Sequence, residues 1–112
     1  MSEPTLEDRF HLIGIGGAGM SVVAELLASR GATVEGSDRE DSAVLEHLRS
    51  VGARVLVGHE ASHVDPASVV VVSTAIREDN TALAIARTRG APVILRPQAL
   101  DLAATGLRFV GV

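Results

Sequence analysis

The hydrophobic positions of this chain follow two patterns that alternate along its length. Short apolar runs bounded by Gly, Pro or charged residues are typical of buried β-strands, and longer segments with apolar positions three and four residues apart are typical of helices. The run Val69–Val72 is unbroken, as expected for the centre of a parallel sheet covered on both faces. The predicted strands are Phe10–Ile13, Thr33–Gly36, Arg54–Val57, Val69–Val72 and Pro92–Leu95.

Helical segments separate these runs, and residues that start or stop helices mark their ends. Asp41-Ser42 is suited to cap a helix that continues to about Val51, and Gly31, Gly52 and Gly90 follow predicted helix ends. The predicted helices are Met20–Ala28, Ser42–Val51, a short turn at Asp65-Pro66, Asn80–Arg89 and Gln98–Ala104.

This alternation of strands and helices predicts a parallel sheet with right-handed crossovers. We expect an α/β domain with a Rossmann-like sheet of about five strands in the order 3-2-1-4-5 and helices on both faces. The predicted organisation is a flexible lead-in at residues 1–9, this single domain at 10–106, and the start of a further strand at 107–112. Because that last apolar strand has no turn after it, we expect the sequence to continue in a longer protein.

Composition narrows the function classes. Hydrophobic residues are 46% of the chain but aromatic residues only 2%, so the core is built from Val, Leu, Ile and Ala. The net charge of −4 argues against a nucleic-acid partner. The sequence has no apolar run of membrane-spanning length and no signal-peptide pattern, so no membrane partner is predicted. The absence of cysteine excludes thiolate chemistry and is compatible with a reducing cytoplasm. All ten basic residues are arginine, so the chain has no phosphate-binding lysine.

The segment after the first predicted strand is rich in glycine and resembles a phosphate-binding turn. Gly14 permits a tight turn, Gly16 lets backbone approach phosphates, and Gly19 allows close packing of helix and strand. The helix that follows begins with unpaired N–H groups and a partial positive charge, which a diphosphate would complete. The alternative is a glycine-rich turn that serves only tight βα packing.

Ligands of such sheets bind at the carboxyl ends of the strands, near the switch point between strands one and four. Asp38 ends the second predicted strand, where dinucleotide sites bind ribose hydroxyls, and this role is favoured over that of a turn residue in an acidic loop. Ser73–Ile76 follows the central strand and offers hydroxyl and N–H groups to a base, sugar or phosphate, or only to its own turn. Arg96, after strand five, is either a phosphate or carboxylate contact or a solvated loop residue.

His59-Glu60-Ala61-Ser62-His63 matches the HExxH pattern of zinc proteases, but Gly58 and Asp65-Pro66 leave too little helix for that site. His59 alone is of interest, because it follows strand three at the ligand edge. His11 and His47 are interpreted as a strand-edge and a solvated helix residue. Since no carboxylate pair, nucleophile–base pair or metal cluster emerges, we predict recognition without catalytic or metal-binding residues.

In combination, four segments of this sequence resemble the UDP-N-acetylmuramate–L-alanine ligase branch of the Mur ligase family, over about Phe10–Val112. These ligases act in cytoplasmic peptidoglycan synthesis, and the resemblance is to their amino-terminal domain. The segments are His11–Ser21, Gly36–Asp38, Gly58-His59 and Ser73–Ile76.

The resemblance implies that this domain holds the UDP part of UDP-N-acetylmuramate. The glycine loop would bind the diphosphate, residues near the other strand ends would surround the uridine, and Arg96 matches an arginine of the family's motif. The implied contacts are Gly14, Gly16, Gly17, Ala18, Gly19, Met20, Ser21, Ser37, Asp38, His59, Ser73, Thr74, Ala75, Ile76 and Arg96.

The resemblance also implies that the chemistry lies beyond this chain. The family's ATP loop, Gly-Thr-His-Gly-Lys-Thr, would begin just after Val112. A central domain would bind ATP and Mg²⁺ and phosphorylate the muramate carboxylate, and the L-alanine amine would then displace phosphate. The chain alone, with no cofactor of its own, is expected to be inactive. It departs from the family where Asn80-Thr81-Ala82 replaces the common Asn-Pro-Glu and where Gln98 replaces an acidic residue.

Two other functions share part of this pattern. An NAD-binding module of an oxidoreductase would use the same glycine loop and Asp38. A non-enzymatic nucleotide-sensing domain would bind adenine nucleotides and form a dimer.

Overall fold

The computed structural model describes residues 4–58, 68–74 and 80–110. Within these ranges the chain forms five strands and four helices that alternate as the sequence predicts, except that the short turn predicted at Asp65-Pro66 lies outside them. The elements are β1 Arg9–Ile13, α1 Ala18–Ser29, β2 Thr33–Asp38, α2 Ala43–Ser50, β3 Arg54–Val57, β4 Ser68–Val72, α3 Thr81–Thr88, β5 Val93–Leu95 and α4 Arg96–Val110.

The strands form one parallel sheet in the order β3-β2-β1-β4-β5, which confirms the predicted α/β fold. β1 lies at the centre, where Leu12 is opposite Gly36 of β2 on one side and Val71 of β4 on the other. Because all strands are parallel, their carboxyl ends share one edge. The switch point between β1 and β4 therefore lies at the same edge as the glycine-rich turn.

Both faces of the sheet are apolar over the central strands. One face packs Phe10, Leu12 and Val71 against α1, α2 and α4 through side chains such as Leu27 and Leu48. The other face packs residues of β1 and β4 against α3, in a smaller cluster of Ile13, Val70, Val72, Leu83 and Ala86. In β4, Val69 and Val71 belong to the first cluster and Val70 and Val72 to the second, as the two-residue repeat of a strand requires.

Capping side chains mark the beginnings of α2 and α3, and glycines follow the ends of α1, α2 and α3, as the sequence predicts. The Ser42 hydroxyl accepts a hydrogen bond from Leu45 N at 3.3 Å, and the Asn80 side chain accepts one from Leu83 N at 3.1 Å. Asn80 thus caps α3 even though Thr81 stands where the family often has Pro. The glycines that follow α1, α2 and α3 all have positive φ, as helix-terminating glycines commonly do: Gly31, Gly52 and Gly90.

The segment before β1 contains a turn. Thr5 N donates to Asp8 Oδ2 at 2.8 Å, and Leu6 packs against the core. The first strand consequently begins at Arg9, one residue earlier than predicted.

The last helix differs from the prediction at both ends. α4 begins at Arg96 and continues to Val110, so residues 107–110 are helical where a strand is predicted. A strand needs a neighbour to satisfy its backbone hydrogen bonds, whereas a helix satisfies them internally. None of the strands in the described ranges pairs with this segment, and the helix continues instead. No helix among the described residues is long and apolar enough to cross a membrane.

Candidate anion-binding site

The glycine-rich turn after β1 is fastened to the end of β2 by backbone hydrogen bonds. Gly14 has φ of +74°, which confirms the tight turn predicted there. The N–H groups of Gly14 and Ile15 both donate to the carbonyl of Ser37, at 2.8 and 3.1 Å. Gly17 N donates back to Gly14 O at 2.9 Å, which closes the turn.

Ile15 of this turn packs closely against Gly36 of β2. The Ile15 side chain is fully buried. A Cβ on Gly36 would overlap Ile15, at 2.6 Å from its Cβ, and would lie 2.8 Å from the Leu12 carbonyl oxygen. A glycine inside a strand is a signal of close backbone approach, and Gly36 is such a glycine, although this role was not predicted for it.

The first turn of α1 presents unpaired backbone N–H groups. Gly17 is the N-cap and makes no side-chain cap, and the first intrahelical bond runs from Ser21 N to Gly17 O at 2.8 Å. Within the described part of the chain, no group accepts from the N–H of Ala18, Gly19 or Met20. The first turn of α1 itself has no acidic residue to offset the positive end of the helix dipole.

The Gly16 amide has a different partner from the one predicted. Gly16 N donates to Asp38 Oδ2 at 2.9 Å, and Arg39 N donates to Asp38 Oδ1 at 2.7 Å. A Cβ on Gly16 would lie 2.7 Å from Asp38 Oδ2 and 3.2 Å from Leu45 Cδ2. The space beside Gly16 thus holds protein side chains, and the part-buried Asp38 carboxylate lies directly beside the turn.

Arg96 lies over the first turn of α1. A Cβ on Gly19 would lie 3.1 Å from Cδ and Nε of Arg96 and 3.3 Å from its Cζ, so the absent side chain of Gly19 leaves room for this arginine. We predicted that Gly19 allows helix and strand to pack; its neighbour is instead the start of α4. Gln98 Oε1 accepts from Leu95 N at 2.7 Å, a cap that the family's usual acidic residue would also provide.

The Arg96 guanidinium has no carboxylate partner among the residues the structure describes. It is half-buried and lies beside a helix end that is itself partly positive. Two like charges are held together most easily when an anion binds between them. Arg96 and the α1 amides are therefore a candidate site for an anion such as phosphate.

Three predicted contacts have side chains engaged within the protein. Met20 is buried in the core, and the Ser21 hydroxyl donates to Ala18 O at 3.1 Å. Ser37 is buried, with its hydroxyl 3.1 Å from His11 Nε2.

The remaining predicted contacts lie at or beyond the edge of the described ranges. Ser73 is half-buried and Thr74 is exposed, and both directly follow β4 at the carboxyl edge of the sheet. His59, Ala75 and Ile76 fall outside the described residues. The same holds for the HExxH segment 59–63.

Sequence reasoning missed a buried polar cluster. His11 is fully buried on the central strand, not at a strand edge, with Nδ1 against Glu35 Oε2 and Nε2 against Ser37 Oγ. The three residues occupy same-face positions on two neighbouring strands, which is the signal that would have found them. The Ser37 hydroxyl, the His11 imidazole and the Glu35 carboxylate contact one another in that order. Because all three are buried, a substrate cannot reach them, and nucleophilic catalysis is excluded there.

Two exposed charge pairs involve residues in or next to α1 and α2. His47 pairs with Glu25 at 3.2 Å, with both side chains more than half exposed, which confirms its place as a solvated helix residue. Hydrogen bonding to Arg49 lowers the pKa of Asp41, and the same bond raises the pKa of Arg49. The described residues contain no group of three His, Asp or Glu side chains placed to hold a metal ion.

The parallel sheet in the order 3-2-1-4-5, with a glycine turn at the carboxyl end of its central strand, defines the Rossmann-like class of α/β domains. Within that class, the protein-family sequence model described as "Mur ligase family, catalytic domain" matches residues 9–107 of this chain. The chain belongs to the Mur ligase family.

Curated relatives agree with this assignment. The chain is 54% identical over 110 residues to a UDP-N-acetylmuramate–L-alanine ligase of Streptomyces coelicolor, covering 97% of this chain and 24% of that ligase. It is 48% identical over 92 residues to the ligase of the same name from Azoarcus, covering 82% of this chain and 20% of the relative. The chain thus spans about a quarter of the length of these relatives, at their amino-terminal end.

Solved structures show the same fold. The UDP-N-acetylmuramate–alanine ligase of Thermotoga maritima superposes with a TM-score of 0.75 at 33% identity, covering 83% of this chain and 22% of that one. A murein peptide ligase of Psychrobacter arcticus superposes with a TM-score of 0.76 at 28% identity, covering 84% of this chain and 20% of that one.

Proposed function

We propose that this chain is the substrate-binding domain of an L-alanine-adding Mur ligase, and that it holds the UDP part of UDP-N-acetylmuramate. The observation that supports the proposal is the proximity of Arg96 to the amides of Ala18, Gly19 and Met20, none of which has an acceptor within the described residues, where the guanidinium has no carboxylate partner either. A diphosphate satisfies both, since it accepts several hydrogen bonds and carries the charge that the site lacks.

We further propose that the nucleoside part of the ligand binds beside these amides. Asp38 lies one strand away, at the end of β2, and its carboxylate oxygens retain lone pairs after binding the amides of Gly16 and Arg39. We assign these lone pairs to ribose hydroxyl groups. Ser73 and Thr74, at the end of β4, lie on the other side of the switch point and complete the proposed nucleoside contacts together with His59, Ala75 and Ile76.

The catalytic steps are proposed to need parts of the ligase outside this chain. ATP, Mg²⁺ and L-alanine would bind there, in the cytoplasmic stage of peptidoglycan synthesis. By itself the chain is expected to bind the nucleotide sugar weakly and to be inert, because one domain covers only one side of the ligand. Release of ADP from ATP and L-alanine by the 112-residue chain would contradict the inert half of this proposal.

A titration followed by backbone amide NMR tests the binding half. UDP-N-acetylmuramate is added to the isotope-labelled chain, with UDP, NAD⁺ and inorganic phosphate in parallel titrations. We expect the largest shift changes at Ala18, Gly19 and Met20, with UDP-N-acetylmuramate and UDP saturating at lower concentrations than NAD⁺. Preferential saturation by NAD⁺, or no change at these amides with any uridine nucleotide, would overturn the proposal.

One observation favours a second candidate, an NAD-binding module. Asp38 at the end of β2 is where dinucleotide enzymes bind the adenosine ribose. The same titration separates the two functions, because an NAD module would respond to NAD⁺ and not to UDP. A nucleotide-sensing domain would instead respond to adenine nucleotides and change its oligomeric state, which light scattering would detect.

A further inference from the structure

A buried cluster of three polar residues lies on β1 and β2, the two strands that the glycine turn is bonded to. We call it the His11 cluster; it consists of His11, Glu35 and Ser37, all at most 2% exposed. His11 Nδ1 contacts Glu35 Oε2, and His11 Nε2 lies 3.1 Å from Ser37 Oγ. The imidazole therefore bridges two residues of β2 from the adjacent strand.

Burying such a cluster inside a sheet costs desolvation free energy. Val70 of β4 is the partner of His11 in the strand register, and it fills the equivalent space without polar atoms. Buried ionisable groups are often no more stabilising than apolar residues of similar size. The cluster therefore invites an explanation in terms of geometry and not only of stability.

The geometry leads from the cluster to the glycine turn. Ser37 is held through its hydroxyl by His11, while its carbonyl accepts from Gly14 N and Ile15 N. The next residue, Asp38, accepts from Gly16 N. Three successive amides of the turn are thus bonded to the last two residues of β2, so the orientation of Ser37 sets the orientation of the turn.

We propose that His11 is a positioning residue for the anion site. Its imidazole, oriented by Glu35, holds Ser37 so that the Ser37 carbonyl fixes Gly14 and Ile15 in the turn. The glycine turn then sets the direction of the free amides at the start of α1. The part of this inference that concerns ligand affinity rests on the proposed function, whereas the part that concerns the turn does not.

The contributions of the two imidazole nitrogens, Nδ1 to Glu35 and Nε2 to Ser37, can be tested separately by substitution. The amide of Asn reaches about as far as Nδ1, so His11→Asn retains a partner for Glu35 and loses Ser37. The amide of Gln reaches about as far as Nε2, so His11→Gln retains a partner for Ser37; it is combined with Glu35→Gln, which keeps the shape of residue 35 without its charge. Ser37→Ala removes the hydroxyl alone.

The test compares these variants with Val69→Ala, which removes buried methyl groups at the amino end of β4, away from the turn. Unfolding by urea first establishes how much stability each folded variant loses. Amide hydrogen exchange at Gly14 and Ile15 and the affinity for UDP are then measured on the 112-residue chain.

We expect His11→Asn and Ser37→Ala to exchange Gly14 and Ile15 at least tenfold faster than a Val69→Ala chain of similar stability, and to bind UDP three- to tenfold more weakly. The double variant His11→Gln, Glu35→Gln should regain most of the slow exchange and most of the UDP affinity of the unaltered chain. If these variants match Val69→Ala in exchange and affinity at equal stability, the cluster is merely structural and the inference is wrong.

The exchange measurement also separates this inference from the proposed function. If the unaltered chain binds no uridine nucleotide, the proposed function fails, and the amide exchange at Gly14 and Ile15 still decides whether His11 positions the turn. Should any variant fail to fold, Ser37→Ala, the smallest change, provides the comparison. Unchanged exchange in that variant alone would overturn the inference.

Discussion

The side chain of Arg96 occupies the space that a side chain at residue 19 would need, because a Cβ on Gly19 would lie 3.1 Å from both Cδ and Nε of Arg96. This contact joins the first turn of α1 to the first turn of α4 at the carboxyl edge of the sheet. The glycine is therefore required less for its backbone freedom than for the cation it admits to the anion site.

Gly19→Ala should weaken UDP binding while leaving the fold intact. The added methyl group displaces Arg96, and we expect a loss of affinity of about five- to tenfold, or ~1–1.4 kcal/mol. Stability should be unchanged or up to about 1 kcal/mol higher, since Ala is the better helix former. Calorimetric titration and urea unfolding measure the two effects. Ser29→Ala, at the exposed end of the same helix, is the control; equal affinities for both variants would contradict the assigned role of Gly19.

Arg96→Gln should remove the charge while keeping much of the side-chain length. Because hydrogen bonds to charged groups contribute ~1.5–3 kcal/mol, UDP affinity should fall roughly 10- to 100-fold. Arg96→Lys should retain part of the affinity, as a point charge without the fork of donors. Binding measured against salt concentration should show a smaller slope in the Gln variant. Arg89→Gln, at the far end of α3, is a matched charge control, and an equal loss there would point to a general effect of net charge.

Gly36→Ala should destabilise the domain through its contact with Ile15. The new methyl group would overlap Ile15 and press on the Leu12 carbonyl, for which we expect a cost of about 1–3 kcal/mol. Adding Ile15→Ala should recover only part of this loss, because the clash with the Leu12 backbone persists. A double-mutant cycle by urea unfolding checks the coupling. Strict additivity of the two substitutions would show that the two residues are not in contact.

The exposed pair of Asp41 and Arg49 gives a small pH effect with a defined sign. Hydrogen bonding to Arg49 lowers the pKa of Asp41 in the folded chain. Its contribution to stability is therefore present above the pKa of the unfolded aspartate and is lost as the pH falls through the lower folded pKa. Arg49→Gln should return the pKa of Asp41 towards its usual range. Carboxyl NMR titration of Asp41 in the unaltered chain and in the Arg49→Gln variant checks the direction.

Much of the fold follows from local sequence. The strand run Val69–Val72 and the helix stops at Gly31 and Gly52 need no distant partner to be recognised, because apolar period, capping and positive-φ glycine act within a few residues. The handedness of βαβ crossovers then restricts the strand order, so 3-2-1-4-5 was predictable. The glycine turn was predictable for the same local reason.

Only the tertiary structure decided which side chains meet at the site. Arg96 against Gly19, Asp38 on the Gly16 amide and the Ile15–Gly36 approach each join segments far apart in sequence. His11 looked like an edge residue until strand register placed Glu35 and Ser37 beside it. Apolar pattern determines which face of an element is buried, because burial depends on the period of one element alone. Side-chain partners depend on the relative positions of two elements, which packing of the whole domain determines.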